Sequence, residues 1–309
     1  MELKTSIIGF IAVLGLLISC SSKKESQTVR ENDESNANVI EVAARDFAFE
    51  APAEVPSGWN TFRFTNNGQQ EHFLYIYRLP ENKTYDQFLE EAMKPFGSVW
   101  NEYASGAIDR DSAMAKMGAE LPAWFMTELT PSGGVGLTEP GETAETTVKL
   151  DPGLHVLECY VKMPDGTWHT EMGMQQPMTV TPEASEAKPP SADVELTLSN
   201  YKIEREGEYK SGPQTVAIHV AENPQGFTMH NLDLFRLNDT TDVQQIVNWM
   251  DWMNLDEFKA PAPAYSLGGI EPMAAGRTGY TMINLTPGKY AWVSEGYGSR
   301  GMVETFTIE

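Results

Sequence analysis

Gly153-Leu-His-Val-Leu-Glu-Cys159 and Gly288-Lys-Tyr-Ala-Trp-Val-Ser294 are one stretch met twice, 135 residues apart, and their pairing decides the fold. Each follows a turn, Leu150-Asp-Pro-Gly153 in the first case and Leu285-Thr-Pro-Gly288 in the second. The same offset carries Gly133-Gly-Val135 onto Gly268-Gly-Ile270 and Gly141 onto Gly276. Upstream, Glu71-His-Phe-Leu-Tyr-Ile-Tyr-Arg-Leu79 corresponds to Met229-His-Asn-Leu-Asp-Leu-Phe-Arg-Leu237, which sets His72 over His230. A shared offset over that span marks two diverged copies of one domain.

Working outward from these blocks, each copy reads as all-β. Residues 60–64, 73–77, 146–150 and 155–161 alternate or run apolar over strand lengths, and residues 215–220, 232–237, 279–285 and 290–294 repeat the order. Short strands between Gly, Pro and Asn predict two Greek-key β-sandwiches in tandem. Tyr290, just after Leu285-Thr-Pro-Gly288, sits where a tyrosine closes a Greek-key corner, and His155 in the same place in the first copy is a fold residue rather than a ligand. Each copy carries a helical insertion. Phe88, Leu89, Ala92, Met93 and Phe96 lie at helical spacing within residues 85–125, a similar pattern covers 109–117, and Ile246, Val247, Met250 and Met253 continue one over 243–258.

The ends and the join are different in kind. Residues 1–19 combine Lys4 with an apolar run from Ile7 to Ile18, a targeting shape too short to cross a bilayer comfortably. Leu17-Ile-Ser-Cys20 resembles the lipobox of bacterial lipoproteins, which implies cleavage before Cys20 and acylation of its sulfur. Residues 20–38 are polar and read as a flexible tether. The expected mature protein is lipid-anchored at Cys20 in the bacterial cell envelope, on the outer membrane or facing the periplasm. Residues 39–181 form the first expected domain, the Pro-rich segment 182–192 a linker, and residues 193–309 the second domain.

Charge and counting narrow the function. The formal net charge is -22, spread over both copies, with 9 basic against 21 acidic residues in 39–181 and 8 against 16 in 193–309. This excludes nucleic acid as a partner through a basic face, leaving solubility or docking to a basic partner. Five histidines with no His-x-His pair cannot equip the extra copper centres of a multicopper oxidase, and a single remaining cysteine excludes a dithiolate-bridged site. No phosphate loop, nucleophile elbow or His-Glu-x-x-His occurs, so the chain is not expected to be an enzyme.

Cys159 therefore needs an explanation, since an odd cysteine in an exported protein is a metal ligand, a reactive group or a buried apolar residue. It precedes His169 by ten positions and Met174 by fifteen, and Gly173-Met174 aligns with Gly301-Met302 at the shorter offset of 128. The second copy carries Ser294 and Tyr297 where the first has Cys159 and His169. With Thr65-Asn-Asn-Gly-Gln-Gln-Glu-His72 leading into a strand, the chain resembles the cupredoxin family of blue-copper sandwiches. That resemblance implies one copper ion in the first domain, with His72, Cys159 and His169 equatorial and Met174 axial, and a degenerate second domain without metal.

Thiolate, imidazole and thioether suit copper in both oxidation states, whereas thioether is a poor zinc ligand. Met172 competes with Met174 for the axial role. The Cys-to-His loop is longer than the family's usual one, and Met163-Pro-Asp-Gly-Thr-Trp168 reads as a hairpin finger that folds the extra residues back. An envelope-anchored copper protein exchanging electrons or copper with a redox or copper-accepting partner is one expectation. A metal-free surface or periplasmic lipoprotein with two interaction modules is the other, and it places Cys159 buried and His169 in solvent.

Overall fold

The computed structural model describes residues 37–224 and 229–309, all within one compact unit that runs to Glu309. The signal peptide, Cys20 and nearly all of the tether lie outside the described residues.

The first copy contributes β1 (Val39–Arg45), β2 (Ala48–Glu50), β3 (Glu54–Asn66), β4 (His72–Arg78), β5 (Thr130–Thr138), β6 (Thr143–Leu150), β7 (Gly153–Glu158) and β8 (Gln175–Ala184). The second contributes β9 (Val194–Ser199), β10 (Lys202–Glu206), β11 (Gly212–Val220), β12 (Leu232–Leu237), β13 (Tyr265–Ile270), β14 (Thr278–Leu285), β15 (Gly288–Val293) and β16 (Val303–Ile308). Side-chain alternation explains them. In β14, Gly279, Thr281, Ile283 and Leu285 are buried while the residues between face outward. β7 and β15 instead end in four consecutive buried residues, the mark of strands covered on both faces.

Two strand layers result, and both run through both copies. One has the order β2-β1-β3-β6-β14-β11-β9-β10 and the other β3-β8-β7-β4-β5-β13-β12-β15-β16. β3 serves both, pairing with β6 over 58–65 and with β8 over 54–57. The copies meet through antiparallel pairs of their own equivalents. Thr146 lies opposite Thr281 and Val135 opposite Ile270, the residues that the 135-residue offset equates. A local two-fold axis thus relates the two halves, and the architecture is mainly β, compatible with a cupredoxin-like sandwich.

The matched glycines have a steric reason. A Cβ on Gly134 would stand 1.8 Å from the Leu74 carbonyl oxygen, and one on Gly269 would stand 2.1 Å from that of Leu232. Their φ angles, +140° and +150°, are those of a backbone only glycine adopts easily.

Helices fill the insertions. α1 (Tyr85–Phe88) starts at Thr84, whose hydroxyl accepts from the Gln87 N–H while the Gln87 side chain accepts from the Thr84 N–H. A wider turn over Leu89–Met93 leads into α2 (Lys94–Ala104), followed by α3 (Arg110–Glu120) and α4 (Ala123–Thr127). In the second copy α5 (Val243–Trp249) is shorter than the helix expected over 243–258. Beyond it, Asp251 and Asn254 accept from the N–H groups of Met253 and Asp256, offering the backbone turns in place of a helix. Two other boundaries also move. β7 stops at Glu158, so Cys159 follows the strand, and β8 continues to Ala184, which pairs with Ser57 and takes residues 182–184 out of the linker.

Candidate metal centre

Three of the four expected ligands come together. One donor atom from each of His72, Cys159 and His169 lies within 4.8 Å of the others, and all three residues are fully buried. Cys159 Sγ stands 3.7 Å from His72 Nδ1 and 3.6 Å from His169 Nδ1. The two imidazole centroids are 4.8 Å apart at 57°, so the rings splay around a common point instead of stacking.

Local structure delivers each group. His72 opens β4 after a turn tied by Asn66, whose side-chain amide donates to the carbonyls of Gln70 and Thr138 and whose Oδ1 accepts from the Gly68 N–H. Cys159 is held where it leaves β7 by its N–H donating to the Met174 carbonyl. The segment between Cys159 and His169 is the expected hairpin finger. Met163 N–H donates to Thr167 O, Gly166 N–H to Met163 O and Thr167 N–H to the Asp165 side chain, and His169 N–H returns to Val161 O. The ten-position separation is therefore absorbed outside the cluster. Met174 N–H donates to His169 O, closing the loop. Met174 is fully buried and Met172 is 50% exposed, which favours Met174 as the fourth group.

Tautomers follow from the outer contacts. His72 Nε2 lies 3.2 Å from Asp46 Oδ1 and His169 Nε2 lies 3.0 Å from Gln70 Oε1. Both partners are acceptors, so each Nε2 carries the hydrogen and each Nδ1 presents its lone pair toward the sulfur. Burial lowers the basicity of His72, against the opposing pull of Asp46, and takes His169 down to about 3, which keeps both rings neutral. Burial pushes the Cys159 thiol up to about 12, opposed by backbone hydrogen bonds from Phe73 and Val161. A neutral imidazole pair beside a protonated thiol is a ligand set that a soft cation completes by displacing one proton.

Asp46, Gln70 and Gly68 were not singled out from the sequence. A Cβ on Gly68 would stand 2.4 Å from Asp46 Oδ1 and 2.8 Å from His72 Nε2, so the turn glycine makes room for the hydrogen bond that orients the ligand. Phe47, at a φ of +72°, lays its ring 5.0 Å from that of His169. Asp46 and Phe47 sit in a short β1–β2 turn that carries no distinctive pattern.

The second copy keeps the frame without the ligands. Ser294 N–H donates to Met302 O as Cys159 does to Met174, and Met302 N–H donates to Tyr297 O as Met174 does to His169. The Ser294 hydroxyl is turned to Asn231 and to the Glu295 carbonyl. His230 packs edge-on against Tyr297, 5.2 Å between centroids, and neither ring nitrogen has a hydrogen bond among the described residues. His155 lies apart from the cluster, its Nδ1 3.2 Å from Gly153 O.

No family model and no curated protein matches this chain. Among solved structures it is similar to dithionite-reduced auracyanin from the photosynthetic bacterium Roseiflexus castenholzii, at 26% identity over 47% of this chain and 98% of that one, with a TM-score of 0.26. Auracyanin A from Chloroflexus aurantiacus, described as a "blue" copper protein, matches at 21% identity over 46% and 98%, TM-score 0.26. The copper-containing nitrite reductase from Thermus scotoductus matches at 11% identity over 88% of this chain and 61% of that one, TM-score 0.23.

Proposed function

We propose that this chain is a cupredoxin-like lipoprotein of the bacterial envelope, built from two sandwiches, whose first copy holds one copper ion for electron transfer with a redox partner. His72, Cys159, His169 and Met174 would hold the ion. One observation carries the reading: two buried imidazoles aim Nδ1 at a buried sulfur while acceptors on the far side of each ring hold the tautomer. Bound copper would supply reversible one-electron exchange. The chain's own contribution is a closed frame in which both rings are held from behind, so little reorganises when charge changes. Burial of all four groups favours electron transfer over copper delivery, which requires an accessible, exchangeable site; the 50% exposed Met172 is the one group suited to that.

Membrane attachment through acylated Cys20 belongs to this proposal and rests on the sequence alone. The second copy, with Ser294 and Tyr297 in the ligand places, would serve as a metal-free support. A metal-free reading of the whole chain draws on the burial of Cys159 and its thiol at about 12, the properties of an inert core residue. Against it, His169 is fully buried with Nδ1 at the sulfur instead of in solvent.

The deciding experiment is Cu(II) titration of the soluble form beginning after Cys20, followed by visible absorption. An intense thiolate band reaching its limit at one equivalent and absent in Cys159→Ser supports the proposal. A colourless protein that also fails to take up Cu(I) overturns it in favour of two interaction modules.

A further inference from the structure

Beside the candidate centre, where the two copies meet, lies a partly open cavity of about 140 Å³. That is close to the roughly 150 Å³ of an engineered protein cavity that admits benzene, so a single ring is a suitable guest. Glu158 and Tyr160, the two neighbours of Cys159, line it from one side, and Asn231 and Glu295 from the second copy. Tyr75, Trp168 and Trp252 supply aromatic wall, with Tyr75 and Tyr160 centroids 6.3 Å apart and Trp168 and Trp252 also 6.3 Å apart. Met93, Phe125 and Leu129 are among the apolar residues of the insertion that close the rest.

The polar inventory is one-sided. Glu158 and Glu295 are the acidic residues of the lining, both more than nine-tenths buried, and the lining contains no Lys or Arg. Among the described residues their oxygens accept from phenols, Glu158 from Tyr77 at 2.9 Å and Glu295 from Tyr160 at 3.1 and 3.3 Å. Behind the wall, Glu271 Oε2 is buried with no hydrogen-bond partner among the described residues, and Asp233 is buried beside Asn231. The nearby cation, Lys162, is committed elsewhere: its Nζ donates to the carbonyls of Trp252 and Asn254 and lies 4.9 Å from the Trp168 ring. Trp168 Nε1, on a lining residue 2% exposed, likewise has no hydrogen-bond partner among the described residues. A cavity rich in buried acceptors and ring faces, with no cation of its own, calls for a guest that brings a cation and hydrogen-bond donors. A metal ion does not meet the geometry, because His72, Cys159 and His169 are the one group of such ligands that converges among the described residues.

We propose that this cavity is a binding site for a small aryl-alkyl ammonium compound, its ammonium group at Glu158 and Glu295 and its ring among Tyr75, Tyr160 and Trp252. An oxygen on the far end of the ring would also give the Trp168 N–H an acceptor. The proposal is independent of the copper reading, since the site uses none of the four candidate ligands, although one of its walls is a single residue from Cys159 on either side.

The test uses the metal-free full mature chain, so it stands whether or not copper binds. Tyramine, its neutral isostere tyrosol and the acid 3-(4-hydroxyphenyl)propionate are titrated by isothermal calorimetry, with thermal shift as a second readout. Tyramine is expected to bind and raise the melting temperature, with tyrosol weaker by at least about tenfold and the acid not binding. Glu295→Gln should cost tyramine at least about tenfold while leaving tyrosol unchanged. Met229→Trp, which fills the cavity without altering its charge, should abolish tyramine binding and covers the case in which Glu295→Gln fails to fold. Equal binding of tyramine and tyrosol, tyramine affinity indifferent to either substitution, or no heat from any probe with the folded chain would overturn the proposal.

Discussion

At the scale of single residues, the site depends on groups that never touch the candidate ion. Gln70 accepts from His169 Nε2 and Asp46 from His72 Nε2, fixing which nitrogen of each ring is available. Outer partners of this kind are typically worth about 10–100-fold in metal affinity. Gln70→Ala is therefore expected to weaken copper by that order in a competition titration, with little change in melting temperature because the residue is part-exposed. Gly68→Ala should weaken it through the other ring by pushing Asp46 off His72, and an unchanged Kd in both variants would show that the outer contacts are incidental. The ligand types were legible because Cys, His and Met at late-loop positions are rare and chemically distinctive. Asp46 and Gln70 were not, since one acidic and one amide residue among many say nothing until a fold brings them to a ring nitrogen.

At the scale of elements, the repeat can be read as local geometry. Tyr290 donates to the Thr286 carbonyl at 2.6 Å and accepts from the Thr286 N–H at 3.1 Å, closing the corner that the Thr-Pro-Gly turn had implied. Tyr290→Phe removes the partner of the Thr286 N–H and carbonyl at this corner and should cost about 0.5–1.5 kcal/mol in a denaturant titration. Gly134→Ala is expected to be more severe, about 4 kcal/mol or more, because its Cβ would overlap the Leu74 carbonyl and the backbone cannot give way without breaking the β4–β5 pairing. Should that variant keep wild-type stability, the close approach of the two strands is not a constraint. Strands were readable from period-two burial, and the finger from its Pro-Asp-Gly turn. The end of α5 was not, because apolar residues kept a helical spacing past Trp249 while Asp251 and Asn254 supplied competing turns.

At the scale of the whole molecule, the two-fold joins the copies through sheet edges that either half alone would expose. Residues 39–181 expressed without 193–309 should therefore aggregate or unfold at markedly lower temperature, and the full chain should melt in one calorimetric transition. Two separate transitions, each reproduced by one half alone, would contradict that coupling.

Buried carboxyls at the interface add a pH dependence to the metal-free chain. Burial raises Glu158 to about 7 and Glu295 to about 8, so each holds its proton more tightly folded than unfolded. Their contribution is complete below the unfolded carboxylate value near ~4.3 and is lost as pH rises through their folded values. His155 and His169, pushed down to about 4 and about 3, act in the opposite sense. Their contribution is present above the unfolded value near ~6.5 and is lost as pH falls below it. Between about pH 6.5 and about pH 4.3 the two pairs offset one another, so denaturant midpoints should rise from about pH 8 to about pH 6.5, stay near level to about pH 4.3 and fall below that, and Glu295→Gln should flatten the alkaline side. A midpoint that climbs steadily with pH would show these groups to be paired in solution.

The 135-residue offset, the strand periodicity and the loss of thiol and imidazole in the second copy were written in the chain itself, because local pattern and self-comparison need no third dimension. From those alone came the repeat and the β class, while the four candidate ligands were what the resemblance to cupredoxins implied. Only the tertiary structure decided how the copies meet. The offset equates Thr146 with Thr281, but nothing in a one-dimensional repeat says that these residues would pair with each other across an axis. The same holds for the cavity, whose two carboxylates come from equivalent strand ends in different copies and become neighbours only after both sheets have joined. Ligand identity is a property of side chains, whereas convergence, burial and the partner behind each imidazole are properties of packing.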